Sequence, residues 1–423
     1  SCKKYPLDNL AIIHLAVRQK GYTNSFRLTV TLKEEICPKI LQAAVDAVTP
    51  RFPTIAAEIR KGFFKYFVVP VQKPPEIIPD TECLADMGQE MIEQCALRVL
   101  YEGKRISVEI FHSLTDGYGG LVFLNTLTAE YLHRKYQIAR QRTGTILNAM
   151  DSVAEWELAD DYDTYAEGKS TGFNHRKVYQ LPGREKADFK IQVMTGIYEI
   201  QDLLEVSHYY GVSLTAFLTA IMSAAVMETQ REQVGEGKKL EPVQIMVPVN
   251  LRKKFASRSL RNFSLYAMSC MMPSKENASY DFLAKDISNQ LGCQLSKECL
   301  KGQMATNVHL QKAPLLRMLP LTVKEGFLRL FFPFLGEKNS CLSISNMGEV
   351  SYSEEVAQYI ERIEFMLTPR RNAPYNCGVV TYKGQVFISF TRKADETGFE
   401  KSLFNPLTVL GFHAAYRSEN QID

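Results

Sequence analysis

Apolar and polar residues alternate along Arg105–Phe111, and the apolar side chains fall on one face, which predicts a β-strand. Residues 121–132 change to the spacing of a helix that packs against a core. The residues between them, 112–120, therefore form a strand-to-helix loop. Side chains on such a loop can reach into a cleft, so its polar residues are the first candidates for chemistry.

The same patterning predicts strands and helices along the rest of the chain. The predicted elements are a strand-rich region from about Leu10 to Leu32, with Phe26–Leu32 as its clearest strand; a helix from Ile40 that stops before Arg51-Phe52-Pro53; a strand over Phe63–Val71; a helix over Gln201–Tyr210; a buried helix over Leu214–Glu228 with Ser213 as its N-cap; strands over Val243–Val247 and Leu342–Ser345; and a hairpin around Lys383-Gly384.

Residues 151–190 break this pattern with an acidic, weakly periodic stretch followed by glycines and a Pro-Gly pair, which is typical of a connection. We therefore divide the chain into residues 1–165, a connecting segment 166–190, and residues 191–423. Each half mixes strands and helices, so the sequence predicts two α/β lobes of similar size.

Composition narrows the class of protein only a little. The 423 residues are 45% hydrophobic and 23% charged, so the chain can bury a core without disulfides or metal. A net charge of +3 gives no argument for nucleic acid or an anionic membrane as the main partner. The most apolar stretch, Leu214–Met227, is shorter than the ~20 residues of a membrane span, so no membrane is expected.

Nine cysteines, an odd number with no Cys-x-x-Cys pair, indicate reduced thiols in a reducing compartment. The start Ser1-Cys-Lys-Lys shows no secretory signal, and we expect a cytoplasmic protein. The histidines lack the spacing of a metal site, and no metal is expected.

A His-x-x-x-Asp-Gly motif, His112 to Gly117, lies in the predicted loop. A neutral imidazole with a pKa near ~6.5 can take a proton from a hydroxyl or amine, whereas a histidine here can also cap or pack under the helix. We interpret Asp116 as structural, because it can accept backbone N–H bonds or pair with a cation. Gly117 permits close approach of the backbone.

The segment Phe111-His-Ser-Leu-Thr-Asp-Gly117 resembles the active-site motif of the chloramphenicol acetyltransferase-like superfamily, which includes coenzyme A-dependent acyltransferases and the condensation domains of peptide synthetases. Since Phe111 stands where condensation domains usually carry a first histidine, the likeness is greatest to stand-alone bacterial alcohol acetyltransferase-like proteins. It covers nearly the whole chain, in family order, through the following segments: the first helix with its Arg51-Phe52-Pro53 ending, Val247-Pro-Val-Asn-Leu-Arg252, Arg261-Asn-Phe263 and Ser345-Asn-Met-Gly348.

The resemblance implies two similar lobes, each a mixed sheet with flanking helices, and an active-site channel between them. It implies transfer of an acyl group, most simply acetyl, from a coenzyme A thioester to a hydroxyl or amine acceptor, with His112 as the general base. Asp116 would organise the loop with Arg252 as its salt-bridge partner. Ser345, Asn346 or backbone N–H groups near Gly117 are candidate donors to the oxyanion, unless Ser345-Asn346 is only a strand-ending turn.

A basic cluster follows the second-half strand and is the candidate site for the phosphates of coenzyme A or of a carrier protein's phosphopantetheine arm. The alternative is an ordinary solvated loop. Its members are Arg252, Lys253, Lys254, Arg258 and Arg261.

Two other functions stay open at this stage: a non-catalytic binding protein, and a condensation-like protein that needs an acyl carrier protein. A monomer suffices for any of these, because two fused lobes can complete one site. Phe327–Leu335 is rich in phenylalanine and is either lobe core or the lining of an apolar pocket.

Overall fold

The computed structural model describes residues 3–7, 11–16, 23–168, 177–183, 190–235, 237–274, 279–312, 318–332, 340–370, 373–393, 399–410, 412 and 415–418. The strands are β1 (Tyr5–Pro6), β2 (Ser25–Leu32), β3 (Ala57–Lys61), β4 (Tyr66–Pro70), β5 (Ile78–Pro79), β6 (Leu97–Glu102), β7 (Arg105–Phe111), β8 (Gln192–Glu199), β9 (Val243–Asn250), β10 (Ser264–Met271), β11 (Leu342–Val350), β12 (Ile360–Leu367), β13 (Tyr375–Tyr382), β14 (Gln385–Arg392) and β15 (Ala415–Ser418). The helices are α1 (Ala11–Ala16), α2 (Pro38–Val48), α3 (Gln89–Gln94), α4 (Gly117–Tyr136), α5 (Tyr162–Tyr165), α6 (Ile200–Tyr209), α7 (Leu214–Val234), α8 (Arg252–Phe255), α9 (Tyr280–Gln294), α10 (Lys297–Lys312), α11 (Leu321–Phe332), α12 (Glu354–Ala357) and α13 (Phe399–Val409).

The first sheet has the order β12-β2-β7-β6-β5, antiparallel except for the β5–β6 pair. Alternate residues of β2, beginning with Phe26 and Leu28, join a buried cluster with the apolar sides of α2 and α4. Helix α2 starts at Pro38, whose fixed backbone suits a first helical turn. This packing places the start of α4 beside the ends of β2 and β7.

The second sheet has the order β10-β9-β11-β13-β14-β8-β15, with parallel β9–β11 and β11–β13 pairs. Helix α7 is buried along most of its length and packs against this sheet together with α9 and α13. Its N-cap is Ser213, whose Oγ accepts a hydrogen bond from the Ala216 N–H at 3.2 Å, as the sequence predicts.

Strand β12 joins the two halves of the chain. It comes from the second half but pairs antiparallel with β2 in the first sheet, with Phe365 opposite Leu28. It also packs on β13, where a side chain on Gly378 would collide with the Phe365 carbonyl. Glycine is therefore required at 378, because the backbone of β12 lies too close for any side chain there.

The predicted mixed sheets with flanking helices are confirmed in both halves. The hairpin around Lys383-Gly384 is also present, and both turn residues have positive φ (47° and 78°), as a two-residue hairpin turn requires.

Two predicted elements are wrong in detail. The strand-rich region from Leu10 contains helix α1 before β2, because a short apolar run does not distinguish helix from strand. The predicted strand Phe63–Val71 is the end of a hairpin: β3 was missed, and Phe63 lies exposed in the turn before β4. The side chains of Phe327–Leu335 lie outside the described residues.

Among the described residues, no single helix combines the length and apolar character of a membrane span; α6 and α7 meet that test only when taken together across an 82° bend.

Candidate active site

His112 follows the last residue of β7 and is fixed by contacts on both its backbone and its ring. Its backbone N–H donates to the Asn24 carbonyl at 2.9 Å, just before β2. Its ring meets the Phe26 ring edge-on, with centroids 5.3 Å apart. The other neighbour is His14 of α1, whose ring is stacked on it at 4.2 Å and 21°.

The surroundings of His112 favour a neutral imidazole. Burial lowers the pKa of His112 below its ordinary value, while contact with its own backbone, the Asp116 charge and the Asn262 side chain each favour the protonated form and offset part of that effect. The Nδ1 atom is buried and has no hydrogen-bond partner among the described residues. A neutral ring at neutral pH is the form that can accept a proton.

Asp116 is the N-cap of α4, and its carboxylate is fully engaged. Oδ1 accepts a hydrogen bond from the Gly119 N–H at 3.2 Å. Oδ2 accepts from Arg252 Nη1 and from the Phe263 N–H, both at 2.8 Å. The carboxylate therefore ties the loop after β7 to the segment after β9, which is a structural task.

Arg252 is the first residue of α8 and is buried, with 5% of its surface exposed. Its guanidinium lies over the Tyr118 ring, 4.5 Å from the centroid. The salt bridge expected with Asp116 is present at 2.8 Å. The other acceptors are protein oxygens as well: the Ser259 carbonyl at 2.8 Å, the Arg261 carbonyl at 2.5 Å and Asn250 Oδ1 at 3.2 Å.

The glycines in the first turn of α4 are explained by what packs on them. A Cβ on Gly117 would lie 2.8 Å from Met347 Sδ, and one on Gly119 would lie 2.5 Å from the Leu260 carbonyl oxygen. Both neighbours belong to the second half of the chain. The structure therefore brings the Ser345–Gly348 segment of β11 against the first turn of α4.

Ser345 and Asn346 lie half-buried in β11, where the pairing with β13 shifts register between Asn346 and Glu349. Asn346 Oδ1 accepts from the Gly348 N–H at 2.8 Å, and Asn346 Nδ2 donates to Thr215 Oγ1 at 3.0 Å. The Asn346 amide thus shapes the bulge and links it to the start of α7.

No protein-family model and no curated protein sequence matches the chain. Solved structures match it over nearly its whole length. Polyketide synthase associated protein 5 from Mycobacterium tuberculosis superposes with a TM-score of 0.61 at 16% identity, covering 96% of this chain and 97% of that one. F. sporotrichioides TRI101, complexed with coenzyme A and T-2, gives 0.63 at 11% identity, covering 98% and 99%. The epimerization domain from the third module of tyrocidine synthetase B gives 0.58 at 12% identity, covering 97% of each chain.

The chain has the chloramphenicol acetyltransferase-like fold. At identities of 11–16% the likeness establishes the architecture, and the chemistry has to be argued from this chain's own residues.

Within this fold the predicted basic cluster divides into a buried and an exposed part. Arg261 is buried like Arg252 and donates to the Pro6 carbonyl at 2.5 Å. The other three, Lys253, Lys254 and Arg258, are exposed, and we call them the exposed basic patch. Among the described residues, no group of His, Cys, Asp and Glu is arranged to hold a metal ion.

Two residues beside the candidate base, Asn262 and His14, are not marked as site residues by any pattern in the sequence. Asn262 served only as part of a resembling segment, yet its side chain interacts with the His112 ring. His14 lacks the spacing of a metal ligand, yet it covers one face of that ring. No local pattern signals either contact, since both residues come from segments far from His112 along the chain.

Proposed function

We propose that this protein is a coenzyme A-dependent acyltransferase. It moves an acyl group, most simply acetyl, from the thioester to a hydroxyl or amine acceptor, with His112 as general base. The observation that carries the proposal is a half-buried histidine whose pKa is lowered by burial, on a loop held by the Asp116–Arg252 ion pair. Solved structures of the same fold complexed with coenzyme A and a T-2 or deoxynivalenol molecule support the choice of co-substrate.

Of the two ring nitrogens, Nε2 is the one that accepts the proton, because Nδ1 is buried. His112 takes the proton from the acceptor as its oxygen or nitrogen forms the new bond to the thioester carbonyl carbon. It then gives that proton to the sulfur as the carbon–sulfur bond breaks, which releases the thiol of coenzyme A. Asp116 does not compete as a base, because its oxygens already accept three hydrogen bonds.

The surroundings of His112 suit a ring that is neutral in the free enzyme and positively charged only while it holds the acceptor's proton. Burial lowers the pKa of His112 and so favours the neutral ring in the free enzyme, whereas Asp116 and Asn262 favour the protonated ring once it forms. Opposing effects of this kind keep the pKa of a general base within reach of neutral pH.

The negative oxygen of the tetrahedral intermediate needs hydrogen-bond donors. Gly117 is the first residue of α4, so its backbone N–H has no acceptor inside the helix. Ser345 lies in β11 two residues before Met347, which belongs to the bulge and packs against Gly117. We assign the oxyanion to these two groups and give Asn346 a supporting role, because its amide is already engaged.

The exposed basic patch is our candidate for the phosphates of coenzyme A, since its charged groups are exposed and lie on α8 and in the segment that follows it. Arg252 and Arg261 were expected in the same role, but their guanidinium groups are buried against protein oxygens. We therefore leave them out of the phosphate site.

The proposal is tested with purified protein, acetyl-CoA and a panel of alcohols and amines, by following release of the coenzyme A thiol. His112→Ala is compared with His208→Ala, a histidine exposed on α6. Turnover that is lost only in His112→Ala supports the proposal, and equal turnover in both variants contradicts it. Thermal stabilisation by coenzyme A without turnover indicates a binding protein, and turnover only with a loaded carrier protein indicates a condensation-like enzyme.

A further inference from the structure

A second histidine, His14, is linked to the candidate base by a closed set of contacts. Its ring stacks on that of His112 at 4.2 Å. Its Nδ1 atom lies 2.6 Å from Asn24 Nδ2. The Asn24 carbonyl in turn accepts the backbone N–H of His112 at 2.9 Å. Three residues from three separate segments thus fix one another, and the candidate base is one of them.

The contact with Asn24 defines the protonation state of His14. An amide nitrogen can only donate a hydrogen bond, so His14 Nδ1 accepts and carries no proton. Burial first, and then the charge of a protonated His112, lower the pKa of His14 well below its ordinary value. The stacked pair therefore carries at most one positive charge, and His112 is the ring that takes up the additional proton.

Packing alone does not account for a histidine at position 14. Its Nε2 atom is buried and finds no hydrogen-bond partner within the described part of the chain. A phenylalanine would fill the same space without burying an unpaired polar atom, which is unfavourable. The nitrogen that is satisfied is the one that faces Asn24.

We propose that His14 is a positioning residue, which holds the His112 ring in place and offers it a neutral aromatic face while it carries the acceptor's proton. This inference rests on the proposed role of His112 as base. A cation is attracted to the face of a neutral aromatic ring, whereas a charged neighbour would repel it.

The other groups that act on the charge of His112 are Asp116, Asn262 and Phe26. Asp116 from its own loop and Asn262 from the segment before β10 favour the protonated ring, and Asp116 is paired with Arg252. Phe26 from β2 is apolar and adds to the burial. Since His14 is neutral, it acts through exclusion of water and through its ring face.

The test compares His14→Ala, which removes the ring and the Asn24 contact, with His14→Phe, which keeps the ring. In His14→Ala we expect kcat to fall about 10–100-fold, because a small displacement of a catalytic group is costly. KM should stay within about twofold, because the change lies at the base and not at substrate contacts. Loss of the His14 ring face removes a contact that favours protonated His112 and so acts to lower its pKa, whereas water entering beside His112 acts to raise it. Burial is the largest influence on the His112 pKa, so we expect the effect of water to dominate and the acid limb of the kcat/KM profile to move to higher pH.

His14→Phe should restore most of the lost kcat and return the acid limb to its wild-type position. If His14 served only to stabilise the fold, His14→Ala would have a lower free energy of unfolding but an unchanged acid limb in its kcat/KM profile. The inference is overturned if His14→Ala leaves both kcat and the acid limb of the pH profile unchanged. It is also overturned if His14→Phe has a kcat no higher than that of His14→Ala. If His14→Ala does not fold, His14→Gln replaces it; it keeps an amide for Asn24, lacks the ring, and should show the same losses.

A second readout separates this inference from the proposed function. The ¹⁵N NMR titration of His112, assigned by its loss in His112→Gln, reports the ring pKa without turnover, and His14→Ala should shift it upward. If His112→Gln keeps wild-type turnover, the proposed function fails while the titration still decides the His14–His112 coupling. If His112→Gln is inactive and the titration in His14→Ala is unchanged, the inference alone fails.

Discussion

Replacing Asp116 by Asn removes one charge from a buried ion pair while keeping the size of the side chain. Asp116 and Arg252 are both buried, with 6% and 4% of their side chains exposed. The change leaves the Arg252 cation without its partner in the interior. Removing one member of a buried pair costs about 3–5 kcal/mol, so the free energy of unfolding should fall by that amount.

Hydrogen-bond geometry supports the same magnitude. The carboxylate accepts from Arg252 and Phe263 on one oxygen and from Gly119 on the other. Asparagine has a single acceptor oxygen, so in either orientation its NH₂ group faces a donor. The substitution therefore adds a donor–donor clash to the lost charge.

The assay is chemical denaturation followed by circular dichroism, with Asp151→Asn as the matched control. Asp151 pairs with Arg142 at the surface, where 28% and 68% of the two side chains are exposed, and its loss should cost less than about 1 kcal/mol. In a double-mutant cycle, Asp116→Asn with Arg252→Met should cost less than the sum of the single changes, because no charge is then left unpaired. A loss below about 1 kcal/mol in Asp116→Asn, or strict additivity in the cycle, would refute the claim that this pair locks the loop.

Three further predictions concern the same site. Gly117→Ala should lower both kcat and the free energy of unfolding, because its Cβ would lie 2.8 Å from Met347 Sδ. A doubly substituted Gly117→Ala, Met347→Ala protein should recover part of both losses, and no recovery would contradict the steric explanation. Replacing the exposed basic patch by glutamine should raise KM for acetyl-CoA with kcat nearly unchanged, and an unchanged KM would place the phosphates elsewhere. Burial lowers the pKa of both His112 and His14, so the unfolded state binds more protons; the free energy of unfolding should therefore fall as the pH drops below about 6.5, and His14→Phe should remove part of that fall.

The strand, loop and helix around His112 could be predicted from the sequence, because their hydrophobic patterns lie in residues adjacent along the chain. Alternation along β7 places the start of the His112 loop correctly, but α4 begins at Gly117 and not at residue 121, because glycines at the start of a helix hide its apolar spacing. The ion pair between Asp116 and Arg252, 136 residues apart, came from the resemblance and not from any local pattern.

The remaining features depend on how distant segments pack. The stacking of His14 on His112, the position of Asn262 and the pairing of β12 with β2 are tertiary contacts with no periodic signal. The burial of Arg261 is likewise invisible in the sequence, where the residue belongs to a basic run, whereas the inward position of Arg252 follows only from the resemblance. For that reason the phosphate site that we propose keeps only the exposed members of the predicted basic cluster.

The most direct test of the central claim is the rate of coenzyme A release from acetyl-CoA with a productive acceptor, measured for wild-type protein and His112→Ala. Binding of coenzyme A is measured in parallel by calorimetry. The account predicts a loss of about 10²–10⁴-fold in kcat with unchanged affinity for coenzyme A, since only general-base assistance is removed. Equal rates for the two proteins would contradict it.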